Sequence, residues 1–334
     1  MNTSLDIRRV VLAGLMAVVV APSCAGSGVG SSRSSTTMTT NAPQTFITTD
    51  GTQTTATAAT TTVALPNSGD FLGTDPTRIP VGDGHRSADS AAIGSVFSCQ
   101  SMFNGGGAHA DGPWIDGYFW NRNTKIVVQG SVSWASSAAY SATIAGSDRV
   151  ISTEGVPTTF ATGIFPISPT DRAYQYDRNP NSIAAQTVTL DIPANPVLAS
   201  TPTCLGMGAI GYFTNGVALF NSLDAQGRDA GAHEIQDSCG GHPERTSMYH
   251  YHDASSCFVE DAPSGYSTLI GYALDGFGIY LTKDANGVMP TNSDLDACHG
   301  RVSRVKFNGV SQDMYHYEAT LEYPYTVGCF AGVR

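Results

Sequence analysis

The apolar positions of this chain fall in short runs separated by turn-forming residues, a pattern that predicts strands. The predicted strand segments are residues 125–135 (KIVVQGSVSWA), 139–145, 187–192, 208–221 and 268–281. Within 208–221, Asn215-Gly216 divides two apolar runs, which is the strongest short signal for a hairpin. We therefore expect a mainly β protein, folded as one large sandwich or barrel-like domain with long loops.

The composition supports the same fold class. Charged residues make up 13% of the chain, against roughly 25% in an average soluble domain. The 36 glycines and 17 prolines favour turns over long amphipathic helices. A formal net charge of −11 repels phosphate backbones, so nucleic acid is excluded as a partner.

The N-terminus has the pattern of an export signal. Arg8 and Arg9 precede an apolar run over residues 10–21, and small residues follow it. The run is shorter than the roughly 20 residues needed to span a bilayer, so residues 1–23 are predicted to be a signal peptide. Cys24 is a candidate for lipidation, with ordinary secretion as the alternative. Either route predicts an extracytoplasmic protein. Only lipidation would bring it to a membrane, through the lipid anchor alone.

A polar segment follows the signal. Residues 24–65 are dominated by Ser, Thr, Gly and Ala. Such a composition buries too little apolar surface to offset the entropy of ordering, so it predicts a disordered tether. The folded domain is expected to occupy residues 66–334.

Six cysteines remain beyond Cys24, an even number that indicates disulfides in an exported chain. They are Cys99, Cys204, Cys239, Cys257, Cys298 and Cys329. Fifteen connectivities are open to six cysteines. The preferred pairing joins Cys239 to Cys257 and Cys298 to Cys329, because each pair flanks a histidine-bearing segment, and leaves Cys99 with Cys204.

Candidate chemistry concentrates in the last third of the chain, which holds six of the eight histidines. In the stretch YHYH, His250 and His252 alternate with Tyr249 and Tyr251, so on a strand the two imidazoles share one face. Residues i and i+2 of a strand lie close enough for two imidazoles to bind one metal ion. A structural role, in an aromatic strand with polar partners, is the alternative.

A second stretch, MYHYE, repeats the alternation and places His316 and Glu318 on one face. If the two segments pair as strands, His250, His252, His316 and Glu318 converge on one point. Three imidazoles and a carboxylate suit Zn²⁺, Cu²⁺ or Fe²⁺, so one of these is the expected cofactor.

Five further residues complete the list of candidates. His233, His242 and Asp237 are candidate metal ligands, and Asp237 could instead orient an imidazole. Glu234 is a candidate proton-transfer group. Asp275, followed by Gly276, is either a candidate general base or part of a tight turn.

Several motifs in a fixed order resemble the YHYH-domain family of exported proteins. They are AHEIQDSCGGHP, YHYH, LDGFGIY, LDACHG and YPYTVGCFAG, preceded by GIFPISP and YDRNPNSI. The resemblance covers roughly residues 121–334. In the motifs, Tyr249 to His252 match the signature, the residues from His233 to His242 match the block before it, and Asp275-Gly276 matches an Asp-Gly motif. The family implies an architecture more than an activity.

Three functions remain open. The leading hypothesis is an exported or lipid-anchored protein that binds a divalent metal, with His250 and His252 as the central ligands. The second is a metal-dependent hydrolase or oxidoreductase in which Asp275 or Glu234 moves protons. The third is a cell-surface module whose tyrosine-rich face binds a glycan or peptide. The small-molecule or envelope ligand itself is not specified by the sequence.

Overall fold

A computed structural model describes residues 75–134 and 140–334, together with a pair of two-residue strands before them. Two units are distinguished, Met1–Ala64 and Leu65–Arg334. Of the described residues, only the strand pair belongs to the first unit. The predicted signal peptide and Cys24 lie outside the described residues, as does the rest of the predicted tether. In the described part, no helix has the length and apolar character needed to cross a membrane.

Strands dominate the secondary structure. In chain order they are β1 (Phe46–Ile47), β2 (Gln53–Thr54), β3 (Ile79–Pro80), β4 (Arg86–Ser87), β5 (Val96–Phe97), β6 (Ile115–Asp116), β7 (Phe119–Trp120), β8 (Ser141–Ala145), β9 (Asp148–Thr153), β10 (Val188–Pro193), β11 (Leu198–Thr203), β12 (Ala209–Phe213), β13 (Ala218–Phe220), β14 (Gly241–Pro243), β15 (Tyr249–Tyr251), β16 (Tyr266–Ala273), β17 (Gly278–Lys283), β18 (Gly300–Phe307), β19 (Val310–Glu318) and β20 (Phe330–Gly332). The helices are α1 (Ala230–His233) and α2 (Ser256–Asp261), with 3-10 turns at Arg172–Gln175 and Asn292–Asp294.

One sheet of eight strands carries the fold, in the order β14-β15-β13-β12-β16-β17-β19-β18. The strands β14 and β18 stand at its edges, so within the described residues the sheet is open and does not close into a barrel. A three-stranded sheet, β8 to β10, contributes Ile151 and Ile192 to a core with Tyr212 and Tyr272 of the large sheet. The prediction of a mainly β, sandwich-like domain is confirmed. The barrel-like alternative is not, because the described sheet has two free edges.

The other face of the large sheet buries the larger core. Tyr249, Tyr251 and Tyr317 are fully buried there, among apolar residues from the N-terminal loops such as Trp114 and Trp120. Each buried aromatic ring removes roughly 150–250 Å² from water, which makes these rings major contributors to stability. The tyrosines of the two YHY segments therefore hold the fold together, and the histidines between them face the opposite way.

The large sheet is built from two similar halves. The first half is β14-β15-β13-β12 and the second half is β18-β19-β17-β16, and they meet where β12 pairs with β16. That junction is antiparallel and places Tyr212 opposite Tyr272, with Gly211 opposite Ala273 and Phe213 opposite Gly271. Equivalent residues thus pair across an approximate twofold axis, which leaves equivalent side chains on the same face.

The same register recurs in both halves. Each half contains a hairpin with a bulge, between Ala209 and Gly211 in one and between Leu269 and Gly271 in the other. Each then adds the YHY strand in parallel, with Leu219 beside Tyr251 and Ile279 beside Tyr317. The two hairpin turns, at Asn215-Gly216 and Asp275-Gly276, each put the glycine at a positive φ, 92° and 89°. The second half repeats the first.

Three disulfides brace the unit that follows residue 64. They join Cys99 to Cys204, Cys239 to Cys257 and Cys298 to Cys329, which confirms the preferred pairing. Cys239 and Cys298 occupy equivalent positions just before the edge strands β14 and β18. Two of the bridges therefore fix the two edges of the large sheet, and disulfides of this number are typical of extracytoplasmic proteins.

One strand prediction is wrong. Residues 125–134 form no strand, and the segment makes a single bridge between Val132 and Thr162. The backbone N–H of Val128 donates instead to the carbonyl of Gln236 in a loop. The apolar side chains of this segment fill the core, but no neighbouring strand offers them a ladder of hydrogen bonds.

Candidate metal centre

Two short edge strands bring three histidines together. In the antiparallel pair of β14 and β15, His242 lies directly opposite His250. His252 follows His250 by two residues and projects from the same face, because strand side chains alternate. The loop between the strands is closed by the Glu244 carboxylate, which accepts hydrogen bonds from the N–H groups of Thr246 and Met248 at 2.9 and 3.3 Å.

Asp237 shapes the approach to β14. Its carboxylate accepts hydrogen bonds from the N–H groups of Cys239 and Gly241 at 3.0 and 3.2 Å and from the Tyr249 hydroxyl at 2.7 Å. A further bond comes from the N–H of Gly163 at 2.9 Å. With these donors Asp237 fixes the loop that presents His242, so it supports the histidine cluster and does not point into it.

The three imidazoles converge on their Nε2 atoms. His250 Nε2 lies 3.1 Å from His252 Nε2, which lies 3.2 Å from His242 Nε2. The Nδ1 atoms of His250 and His252 face backbone carbonyls, those of Met248 and Asn221, at 3.2 and 2.5 Å. A carbonyl only accepts, so in the neutral rings Nδ1 carries the proton and Nε2 carries the lone pair. Two lone pairs facing each other at this distance repel unless a proton or a metal ion lies between them.

Glu234 adds a carboxylate to the cluster. It follows α1 directly, and its Oε2 lies 3.3 Å from His252 Nε2 and 3.5 Å from His242 Nε2. The same oxygen is buried and accepts no hydrogen bond within the described part of the chain. A buried, unsatisfied carboxylate oxygen is costly unless a cation compensates it.

Four of the six separations among these atoms are close to those between ligands of one metal ion. Ligands 2.0–2.1 Å from a tetrahedral zinc ion stand roughly 3.3–3.4 Å from one another. The four separations given above run from 3.1 to 3.5 Å. The cluster of His242, His250 and His252 can hold a metal ion, and Glu234 Oε2 lies beside two of these histidines, His242 and His252.

Burial sets the charge of these groups. It lowers the pKa of His242 and His250 well below the ordinary value of 6.5 and lowers that of His252 as well. Burial also raises the pKa of Glu234 well above 4.5. The imidazoles are therefore held neutral, which is the form that binds metal, and a cation at the cluster would restore the charge of the carboxylate.

The cluster opens into a cavity of about 800 Å³. Its wall includes all four converging residues, the Phe220 ring, which stacks on His250 at 3.9 Å, and two arginines, Arg178 and Arg245. That volume is within the range of small-molecule sites. A bound ion would thus be accessible from one side.

Part of this wall was not predicted from the sequence. Asp177, Arg178, Asn179 and Asn181 line the cavity, and the amides of Asn179 and Asn181 donate to the carbonyl of Pro243. These residues come from the stretch YDRNPNSI, far from the histidines in sequence. The resemblance of that stretch to the family was the signal that could have identified them.

His233 lies apart from the cluster. Its Nδ1 faces Asp111 at 2.8 Å and its Nε2 faces Asp83 at 2.9 Å. Hydrogen bonds to Asp83 raise its pKa against the opposing effect of burial. Both ring nitrogens face carboxylates outside the cluster, so the structure does not bring His233 to the other histidines, and it does not bring Asp237 there either.

Asp275 also lies elsewhere. Its carboxylate accepts bonds from the Tyr317 hydroxyl at 2.5 Å and the N–H of Gly332 at 2.8 Å, in the turn between β16 and β17. Asn215, its equivalent in the first half, donates to the Tyr251 hydroxyl at 3.2 Å. Asp275 is buried in a tight turn, as one of the two interpretations predicts, and it is not among the residues that line the cavity.

The predicted convergence of the two YHY segments is wrong. Four strands separate β15 from β19 in the sheet, because each YHY strand pairs with the hairpin of its own half. His316 and Glu318 form a second cluster with Arg301, in which Glu318 Oε1 lies 3.1 Å from His316 Nε2. They are not ligands of the site built on His250 and His252.

A comparison with protein families decides the assignment. Residues 189–288 match the model described as YHYH protein. This segment is a YHYH domain. The matched segment of this YHYH domain holds Glu234, His242, His250 and His252, so the whole cluster lies inside it. The match is narrower than residues 121–334, over which the motifs suggested a resemblance. No curated protein and no solved structure matches the chain.

Proposed function

We propose that this YHYH domain binds one divalent transition-metal ion through His242, His250, His252 and Glu234. The observation that carries the proposal is the convergence of three Nε2 atoms, those of His250 and His252 with lone pairs, and one unsatisfied carboxylate oxygen in a buried cluster. Without a cation this arrangement is unfavourable, because lone pairs and a buried carboxylate oxygen face one another. The imidazole-rich donor set, with separations of 3.1–3.5 Å, makes Zn²⁺ the first candidate, with Cu²⁺ and Fe²⁺ as competitors.

Metal analysis of the full chain, purified without a histidine tag, tests the proposal. We expect about one ion per chain in the wild type and none in the His250→Ala/His252→Ala variant. His316→Ala is the matched control, because it removes the equivalent histidine from the second half and leaves the metal content unchanged. The proposal is contradicted if the wild-type protein is purified without metal and then binds neither added Zn²⁺ nor added Cu²⁺.

A second candidate function is metal-dependent catalysis or capture of a small molecule. The cavity of about 800 Å³ beside the cluster favours it, since a purely structural site has no need of an open side. In such a reaction the ion activates water or a redox substrate. The glycan- or peptide-binding alternative loses its surface, because Tyr249 and Tyr251 are completely buried.

The coordination number separates these roles. A closed site keeps its four protein ligands and exchanges no ligand with solvent. A catalytic site gains a fifth ligand, so azide added to the cobalt-substituted protein would change its visible spectrum. An unchanged spectrum at saturating azide would count against catalysis while leaving metal binding intact.

Export belongs to the same proposal. The signal-like residues 1–23, the three disulfides and the family all favour an extracytoplasmic location, with Cys24 as the lipid attachment point. We expect the full chain to fractionate with membranes and the Cys24→Ser variant to be released in soluble form. Release of the wild type itself would favour ordinary secretion.

A further inference from the structure

The second half of the large sheet contains a cluster at the position equivalent to the metal centre. Arg301 on β18 lies directly opposite His316 on β19, in the register that places His242 opposite His250. Glu318 follows His316 by two residues, as His252 follows His250. The two clusters therefore occupy the same positions on equivalent strands.

The surroundings of the two clusters also match. His316 Nδ1 faces the carbonyl of Met314 at 3.0 Å, as His250 Nδ1 faces that of Met248. Tyr280, the counterpart of Phe220, lies beside the His316 ring at 5.1 Å. The orientation of the central imidazole is thus the same in both halves, with Nε2 pointing into the cluster.

The loops that lead into the edge strands are alike as well. Asp296 accepts bonds from the N–H groups of Cys298 and Gly300 and from the Tyr315 hydroxyl. Asp237 makes the same set of contacts with Cys239, Gly241 and Tyr249. The backbone that presents Arg301 is therefore built like the backbone that presents His242.

The two clusters differ in how a buried carboxylate is neutralised. Glu318 is fully buried, and its Oε1 accepts hydrogen bonds from Arg301 Nε and Nη2 at 2.9 and 2.7 Å. The distance from His316 Nε2 to Glu318 Oε1 is 3.1 Å, equal to that between the Nε2 atoms of His250 and His252. The donor pair keeps its spacing, and a guanidinium supplies the positive charge.

We propose that Arg301, His316 and Glu318 are a latent second metal site, in which the Arg301 guanidinium stands in place of a divalent transition-metal ion. Arg301 occupies the position of a ligand, His242, and brings the compensating charge with it. Replacing it by histidine would complete two imidazoles and a carboxylate, a donor set used for divalent transition metals. The side chain of Arg301 is 28% exposed, so an ion can reach this position from solvent.

The inference rests on the proposed function, and a paired experiment separates the two. Arg301→His is made in the wild type and in the His250→Ala/His252→Ala background, and bound zinc per chain is measured after equilibration with Zn²⁺. We expect two ions in the first protein and one in the second. Arg301→Gln removes the guanidinium without adding a ligand. It should bind one zinc ion in the otherwise wild-type chain and none in the His250→Ala/His252→Ala background.

The outcomes are distinct. If the wild type binds one ion and Arg301→His still binds one, the latent site is refuted and the proposed function stands. If the wild type binds none but Arg301→His binds one, the proposed function fails and the latent site survives.

Folding is monitored by thermal unfolding with and without Zn²⁺. Should Arg301→His in the His250→Ala/His252→Ala background be unstable, added zinc must raise its Tm, while the matched Arg301→Gln protein shows no such rise. Failure of zinc to stabilise the histidine variant counts against the proposal.

Discussion

The two halves of the large sheet share a backbone and differ in how they compensate a buried carboxylate. In the first half, Glu234 faces three imidazoles and a cavity, and no side chain of the described residues supplies a permanent positive charge at its Oε2. In the second half, Glu318 is paired with Arg301 at 2.7 Å. If the proposed function is right, the same backbone holds a metal ion in one half and an ion pair in the other, depending on a few side chains.

The difference also separates function from stability. The first half opens its cluster to a cavity, whereas the Arg301–Glu318 pair fills its own site from within the chain. A pair that needs no external partner is suited to holding β18 and β19 together. Under the proposed function, the first half has no such internal partner and needs a bound metal ion for its charge balance.

Removing metal should have the largest effect and should act on the first half alone. At free zinc about a thousand times Kd, binding adds about 4 kcal/mol to the free energy of unfolding. Chelation of the wild type should therefore lower Tm markedly, as measured by calorimetry. The His250→Ala/His252→Ala variant is the control, and an equal response in it would show that the stabilisation does not come from this cluster.

Breaking the ion pair should have the next largest effect and should not depend on metal. Arg301→Ala leaves Glu318 buried without its partner, which we expect to cost about 3 kcal/mol in the free energy of unfolding. Arg304→Ala on the same strand is the matched control, because the Arg304–Asp313 pair is exposed and should cost at most about 1 kcal/mol. Urea unfolding measures both, and similar losses would contradict the assigned role of Arg301.

His299 should make the second half sensitive to acid. Burial lowers the pKa of this imidazole to about 3, whereas an unfolded histidine has a pKa near 6.5. Below 6.5 the unfolded state binds the proton and the folded state does not, so stability falls as pH falls toward 3. Between pH 6.5 and 5 this amounts to roughly 2 kcal/mol, at 1.36 kcal/mol per unit.

The variant that tests this acid sensitivity is His299→Asn. His299 has φ 68°, and its counterpart in the first half is Gly240, with φ 83°. Asparagine tolerates this left-handed conformation and does not titrate. In the His250→Ala/His252→Ala background, urea unfolding at the two pH values should show the smaller acid loss in the asparagine variant. An unchanged loss would exclude His299 as its source.

The smallest expected effect is on zinc affinity and comes from the two loop carboxylates, Asp237 and Asp296. Asp237→Asn should weaken zinc binding about tenfold, since residues that orient ligands typically contribute 10–100-fold to affinity. Asp296→Asn makes the equivalent change in the second half and should leave zinc affinity unaltered. Competition with a chromophoric chelator measures both affinities. An equal loss in the two variants would indicate a general effect on folding.

The local features of the fold were predictable because they depend on neighbouring residues. Asn215-Gly216 identified one hairpin, and the alternation of His250 and His252 with tyrosines identified a shared face. What could not be predicted was the identity of partner strands, because alternation fixes which face a residue occupies but not which strand lies beside it. The MYHYE strand was therefore predicted to pair with the YHYH strand, which is wrong. The similarity of the two motifs instead reflects the repeat of one half of the sheet in the other.

The cavity wall was hidden for a similar reason. Arg178 and Asn179 line the same cavity as the histidines only because of the folded loops, and apart from the family resemblance of their stretch nothing in the sequence marks them. Glu234 and His242 were identified as candidates individually, but their convergence depends on α1 and β14 meeting at one edge of the sheet. Long-range packing places these groups, and a single sequence does not record it.

The most direct test of the central claim is the zinc K-edge absorption spectrum of the zinc-loaded full chain. The four converging atoms of the first half predict a shell of three nitrogens and one oxygen at about 2.0–2.1 Å, with the multiple scattering characteristic of imidazole. The same shell should persist in His316→Ala and vanish in His250→Ala/His252→Ala. A shell of water oxygens without imidazole scattering in the wild type would contradict the claim.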